Sequence, residues 1–332
     1  MMRHTIICII SLLVVLTCAA AAKAQRNAPL RLEKTIPLPN VQGRIDHMSI
    51  DTKNERLFVA ALGNNTLEVI DLKGGKSVHS ITGLNEPQGA LYLPAVDRLY
   101  IANGKDGNVR IFDATSFKLL KSVAYGDDAD NLRYDSKEDT VYVGYGSGAM
   151  GAFNKDGTKI ADIKLSAHPE SFQLEKNGPR MFVNVPKARK ISVVDRKART
   201  VVASWTTGGP TANYPMALDE PDHRLFVVCR LPARLVILDT NTGKIVQSLA
   251  TAGDCDDVFY DSKRKRIYAT GGEGAISVYQ QQDADHYQDI GRIVTVKGAR
   301  TSFFSPDLDK LYVAARREGS HPAEIRVYGA ND

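Results

Sequence analysis

Beyond an apolar leader, short apolar runs alternate with clusters of Gly, Asn, Asp and Lys along the whole chain. The first unit, residues 46–84, shows the pattern. Met48–Asp51 reads as a short strand, Thr52–Glu55 as a polar turn and Arg56–Ala61 as a second strand. Gly63-Asn64-Asn65 turns the chain into a third strand, Thr66–Ile70, and Lys73-Gly74-Gly75 turns it into a fourth, Lys76–Ile81. Strand runs bounded by Gly, Asn and Asp predict antiparallel hairpins. Each second strand carries an aromatic after an aliphatic residue: Phe58, Tyr100, Tyr142, Phe182, Phe226, Tyr268 and Tyr312, spaced by 42, 42, 40, 44, 42 and 44 residues. A period in the low forties with several short strands per unit predicts an all-β seven-bladed β-propeller of four-stranded antiparallel blades.

The second and third strands recur as Arg98–Ala102 and Val109–Phe112, and as Thr140–Gly144 and Met150–Phe153. They return at Arg180–Asn184 and Ile191–Val194, at Arg224–Val228 and Leu235–Leu238, at Arg266–Thr270 and Ile276–Tyr279, and at Lys310–Ala314 and Ile325–Tyr328. These strands are apolar on both sides, as expected where stacked blades cover both faces, and the repeating aromatic is then a core residue. Six third strands end in an acid or amide (Asp71, Asp113, Asn154, Asp195, Asp239 and Gln280), positioned to bind the backbone of the next turn. The last unit has no room for a fourth strand. Leu30–Ile36 resembles one, so the N-terminal segment is expected to close the last blade and remove an open sheet edge. No helix-period segment or linker divides residues 25–332, which predicts a single domain.

The leader changes the picture of location. Arg3, the apolar stretch Ile6–Leu16 and Ala22-Lys23-Ala24 form a signal-peptide pattern over residues 1–24, cleaved before Gln25, for delivery to the periplasm or full secretion. The stretch is short for a membrane span, and Thr17 before Cys18 does not suit lipidation. Cleavage leaves 308 residues and, by removing Arg3 and Lys23, takes the formal charge from +5 to +3. No Lys/Arg run suggests a nucleic-acid or anionic-membrane partner, and a monomer is expected. Cys229 and Cys255 remain, near the same face, and could form a disulfide in an exported protein.

Tyr100-Ile-Ala-Asn103 and the run Ile237–Val246 (third strand, turn and fourth strand) resemble the YVTN-type β-propeller repeat family over about the whole mature chain. Other units depart from the motif, as in Phe58-Val-Ala-Ala61, Tyr142-Val-Gly-Tyr145 and Phe226-Val-Val-Cys229. The resemblance implies an exported bacterial propeller. Related propellers include gluconolactonase-like hydrolases and metal-dependent lyases, so it leaves function open.

In a propeller the loop entering each innermost strand opens beside the central channel. Alignment on the repeat aromatic places Asp46, His47, Gln88, Asp130, Asn131, Glu170, Ser171, Tyr214, Asp256, Asp257, Arg300 and Thr301 there. This mouth is the expected site for a small-molecule or protein ligand, with Asp46, His47, Gln88, Asp130, Asn131, Glu170, Tyr214, Asp256 and Arg300 as its contacts. An alternative is a metal-dependent lactonase-like hydrolase or lyase. In it Asp46, Asn131, Glu170 and Asp256 would hold Ca²⁺ or Mg²⁺, and His47 would act as general base. Arg300 could clamp an anion or pair with Asp256 or Asp46. Lys187, Arg189, Arg230, Arg234, Arg316 and Arg317 form a basic rim on the same face, and His168 and His321 could also approach the mouth. Gly146-Ser-Gly-Ala-Met-Gly151 matches G-x-G-x-x-G but lies in a strand–strand turn, with no helix N-terminus to hold a pyrophosphate. No Walker loop, H-E-x-x-H, G-x-S-x-G or haem-attachment motif occurs.

Overall fold

The computed structural model describes residues 28–332; the expected leader lies outside the described residues. Twenty-eight strands form seven four-stranded antiparallel sheets. Blades 1 to 6 run inside to outside in chain order, with innermost strands Met48–Asp51, Pro87–Leu93, Leu132–Asp135, Phe172–Leu174, Thr211–Asp219 and Cys255–Asp261. Blade 7 starts at Thr301–Ser305 and is completed by the N-terminal strand Leu30–Leu38, paired antiparallel with Ala323–Ala330. Leu30, Ile36 and Leu38 are 2%, 0% and 1% exposed, so the closing strand is a core element.

The second and third strands are buried on both faces, while outermost strands such as Lys76–Ile81 are largely exposed. All seven repeat aromatics are buried, and the apolar clusters span the seams: Phe58 packs with Leu99 and Ile101 of blade 2, and Phe226 with Ile267 and Tyr279 of blade 6. The ring is therefore held by apolar seams between neighbouring blades. Five third-strand ends receive backbone N–H groups from their turns, at Asp71, Asp113, Asn154, Asp195 and Asp239. Gln280 does not; its side chain donates to Arg264 and Lys265 carbonyls, and Asp283 accepts the turn N–H groups instead. The longer glutamine reaches backward along the sheet.

The two cysteines, left open above as a possible pair, are not bonded to each other. Cys229 and Cys255 are free and buried, in separate apolar clusters, and the Cys255 thiol donates to the Ala252 carbonyl at 3.1 Å. Burial pushes the two thiols up to about 11 and about 12, leaving both unreactive.

Candidate functional site

The repeat itself aligns acidic groups around the channel. The backbone N–H groups of Asp46, Asp130 and Glu170 donate to the carbonyls of Ala60, Gly144 and Asn184, at one equivalent level of blades 1, 3 and 4. With Arg44, Gln88, Asp128, His168, Lys187, Tyr214, Arg230, Asp256 and Arg300 they line a mouth cavity of about 300 Å³. Of the expected contacts, Asn131 alone lies outside this lining, one layer deeper. His321 does not line it; it forms a small bridge with Glu318 in the last hairpin.

One side of the mouth is neutralised internally. Asp256 is clamped between Arg230 and Arg300, with Arg300 Nε 2.8 Å from Oδ2. Arg300 also reaches Asp254 at 3.2 Å, and the Arg230 guanidinium stacks 3.9 Å over the Tyr214 ring. Arg300 thus takes the ion pair with Asp256, and not with Asp46, whose oxygen pairs with Arg44 at 3.1 Å. Gln88 and His168 hold each other's neighbourhood through Asp128: the Gln88 amide donates to it at 2.9 Å and His168 Nδ1 lies 3.6 Å away.

The other side is not neutralised. Asp130 is 6% exposed, its Oδ1 is buried with no hydrogen-bond partner, and the nearest cationic nitrogen is His47 Nε2 at 3.9 Å. Glu170, in the next blade, has no ion-pair or hydrogen-bonded partner for its carboxyl among the described residues. Burial first, then Asp130 and Asp256, pushes the Glu170 carboxyl up to about 9. Burial likewise raises Asp130, against the pull of His47 and His168. Asp46 rises to about 7 through burial, opposed by His47.

His47 is the floor of this cavity. Nδ1 faces Asp257 Oδ1 at 3.4 Å, and Nε2 faces Asp46 Oδ1 at 3.6 Å. Burial opposes its charge, but Asp257, Asp46 and Asp130 together outweigh that and hold the ring protonated well above the ordinary range. Nε2 is also 3.2 Å from the Asn131 side-chain amide; protonated, it donates to the amide oxygen once that amide turns over.

The geometry argues against the four-residue metal set. Asp256 is taken by two guanidinium groups, and Asn131 faces His47. No group of three or more His, Cys, Asp or Glu among the described residues is gathered for a metal ion. A wider groove of about 600 Å³ lies between blades 3 and 4 at the opposite face, but its buried Arg196 is committed to Asp135 and to the Glu175, Gly178 and Pro179 carbonyls.

These shifts set a pH dependence. An unfolded Glu ionises at about 4.3 and an unfolded Asp at about 3.9. Above those values the folded chain binds more protons than the unfolded one until Asp46 titrates at about 7 and Glu170 at about 9. Stability therefore falls as pH rises through these windows. His47 acts in the same direction: its contribution is full below the unfolded histidine value, about 6.5, and is lost as pH rises through the folded one. Thermal melts from pH 6 to 9.5 should show a declining midpoint, and Glu170→Gln should flatten the alkaline part of that decline. An unchanged slope in the variant would contradict the assignment.

Residues missed by loop alignment are Arg44, Asp128 and Asp254, which flank the aligned positions, and Arg133 and Gln173, which lie within innermost strands. Across from the repeat aromatics, these strands present Ser49, Leu91, Arg133, Gln173, Ala217, Phe259 and Phe303 in blades 1 to 7.

The chain is similar, at 21% identity over 264 residues, to the uncharacterized protein YncE of Salmonella typhimurium, covering 74% of this chain and 73% of that one. YncE of Salmonella typhi matches to the same extent. No protein-family model matches. Among solved structures, a chain of the Kuenenia stuttgartiensis hydrazine synthase superposes with a TM-score of 0.70 at 16% identity, covering 82% of this chain and 94% of that one. A chain of the mitotic checkpoint complex superposes at 0.77 and 15% identity, covering 91% and 92%. At such identities the likeness is one of fold.

Proposed function

We propose that this is a binding protein whose channel mouth takes a small polar ligand bearing an ammonium group. The observation that carries this is Asp130 Oδ1, buried without a hydrogen-bond partner beside Glu170, whose carboxyl makes no direct ion pair among the described residues. A buried carboxylate is costly unless a cation or donor compensates it. The opposite wall already has compensation, because Arg230 and Arg300 are spent on Asp254 and Asp256. An ammonium group lodged between Asp130 and Glu170 would supply the missing charge and displace a proton from Glu170. The metal-dependent hydrolase or lyase reading has less support, for the reasons of geometry given above.

The leader pattern over residues 1–24 supports export, with ligand capture in the periplasm or outside the cell. The low-forties period, Tyr100-Ile-Ala-Asn103 and the YncE match support membership of the YVTN-type repeat family. Pairing of Leu30–Leu38 with Ala323–Ala330 completes blade 7 as a four-stranded sheet like the other six, so the ring closes within one chain, which supports a monomer.

Titration calorimetry with agmatine and putrescine tests the reading. Binding should strengthen from pH 6.5 to 8.5, as Glu170 gives up its proton more readily. Asp130→Asn and Glu170→Gln should each weaken it at least tenfold, about 1.4 kcal/mol. No heat with either amine would sink the proposal. A parallel melt series with Ca²⁺, Mg²⁺ and EDTA should show no ion-dependent stabilisation; a chelator-sensitive shift abolished by Glu170→Gln would favour the metal reading.

A further inference from the structure

Below His47 the innermost strands enclose a second chamber of about 450 Å³. Its roof is the His47, Asn131 and Asp257 layer. Its walls differ sharply in chemistry. Phe259 and Phe303 of blades 6 and 7 form an edge-to-face pair, with ring centroids 5.9 Å apart at 67°. Leu91 and Leu218 extend the apolar wall. Arg133 of blade 3 stands opposite, because in a ring of seven the third blade faces the seam between the sixth and seventh.

Arg133 is unusual in having almost nothing to bind. A guanidinium carries five N–H donors. Here one hydrogen bond is made, from Nη1 to its neighbour's carbonyl on Leu132 at 2.8 Å, and the group lies 5.6 Å over the Phe172 ring. No carboxylate among the described residues pairs with it. The obvious candidate, Asp257, is already taken: Oδ1 faces His47 and Oδ2 accepts the Ser302 backbone N–H at 2.8 Å. The other polar wall groups are occupied too, since Gln173 donates to the Met216 carbonyl and Ser49 accepts from the Tyr92 N–H. Burial weighs against the Arg133 charge and outweighs the pull of Asp257 and Asp130, neither of which pairs with it, so a directly bound anion would relieve the remaining cost.

We infer that this chamber is a second binding site, separate from the mouth, for a small aromatic monocarboxylate. Its carboxylate would take the forked donors of Arg133, and its ring would pack against Phe259 and Phe303. The volume lies within the range of small-molecule pockets.

Calorimetry with phenylacetate on the full mature protein tests this. A dissociation constant of about 0.1–1 mM is expected for an acid of this size. Acetate, which lacks the ring, and benzylamine, which reverses the charge, should bind at least tenfold more weakly by the same contacts. Arg133→Gln should weaken phenylacetate at least tenfold and Arg133→Lys less, because lysine keeps the charge but not the fork. Phe303→Ala should weaken phenylacetate about fivefold or more while leaving acetate unaffected. Should Arg133→Gln fail to fold, Phe303→Ala and the acetate comparison still decide the matter. Absence of heat with phenylacetate, or unchanged affinity in folded Arg133→Gln or Phe303→Ala, overturns the inference. Failure of the amine titration alone would leave this site standing, and the reverse.

Discussion

Removing Leu30–Leu38 should lower the melting temperature by more than about 10 °C. The strand places Leu30, Ile36 and Leu38 in the core and pairs along Ala323–Ala330. Burying each such side chain stabilises by about 1.5–3 kcal/mol, so the three together contribute on the order of 6 kcal/mol. That is a large part of the ~5–15 kcal/mol by which domains are usually stable. Two polar ties would go as well, Lys34 Nζ to the Leu72 carbonyl at 2.8 Å and Glu33 to Lys310 at 2.6 Å. The truncated protein should also self-associate, because Ala323–Ala330 becomes an open edge. A synthetic peptide of residues 28–38 should restore the melt when added. A truncate that melts within about 3 °C of the parent would refute the closure as an energetic device.

Arg196→Met should cost about 3–5 kcal/mol, read as a lower denaturation midpoint with an unchanged slope. Arg196 is 8% exposed and belongs to blade 4, but its guanidinium pairs with Asp135 of blade 3 and donates to the Glu175 and Gly178 carbonyls, both at 2.6 Å. Methionine would fill the space yet leave Asp135 buried beside orphaned carbonyls. Arg196→Met combined with Asp135→Leu should recover much of the loss, because it removes the stranded charge. Equal stability of the single variant and the parent would show that the pair contributes nothing.

The architecture was legible because it is written in spacing. The seven aromatics repeat at one strand position, and each occupies a seam between blades, so a covalent period became a spatial one. The strand ends in the first unit fell where the turn residues placed them, at Asp51, Ala61 and Ile81. The mouth was legible for a related reason: equivalent positions in a ring must converge on its axis. What spacing does not record is direction. Asp256 and Asp257 are adjacent, yet a bulge between Cys255 and Asp257 sends one side chain to Arg230 and Arg300 and the other down to His47. Arg133 was hidden because it lies within a strand, beyond the entering loops that the alignment picked out. The pairing of Arg300 with Asp256, and the freedom of Cys229 and Cys255, depend on how far neighbouring blades rotate, which no local pattern encodes.

The blade made from both termini also constrains how the molecule comes into being. Leu30–Leu38 is synthesised well before its partner strand, Ala323–Ala330. At ~5–20 residues per second the early segment waits roughly 15–60 s for its partner. Throughout that interval an apolar strand has no place to lodge. The ring can therefore close only once Ala323–Ala330 has emerged.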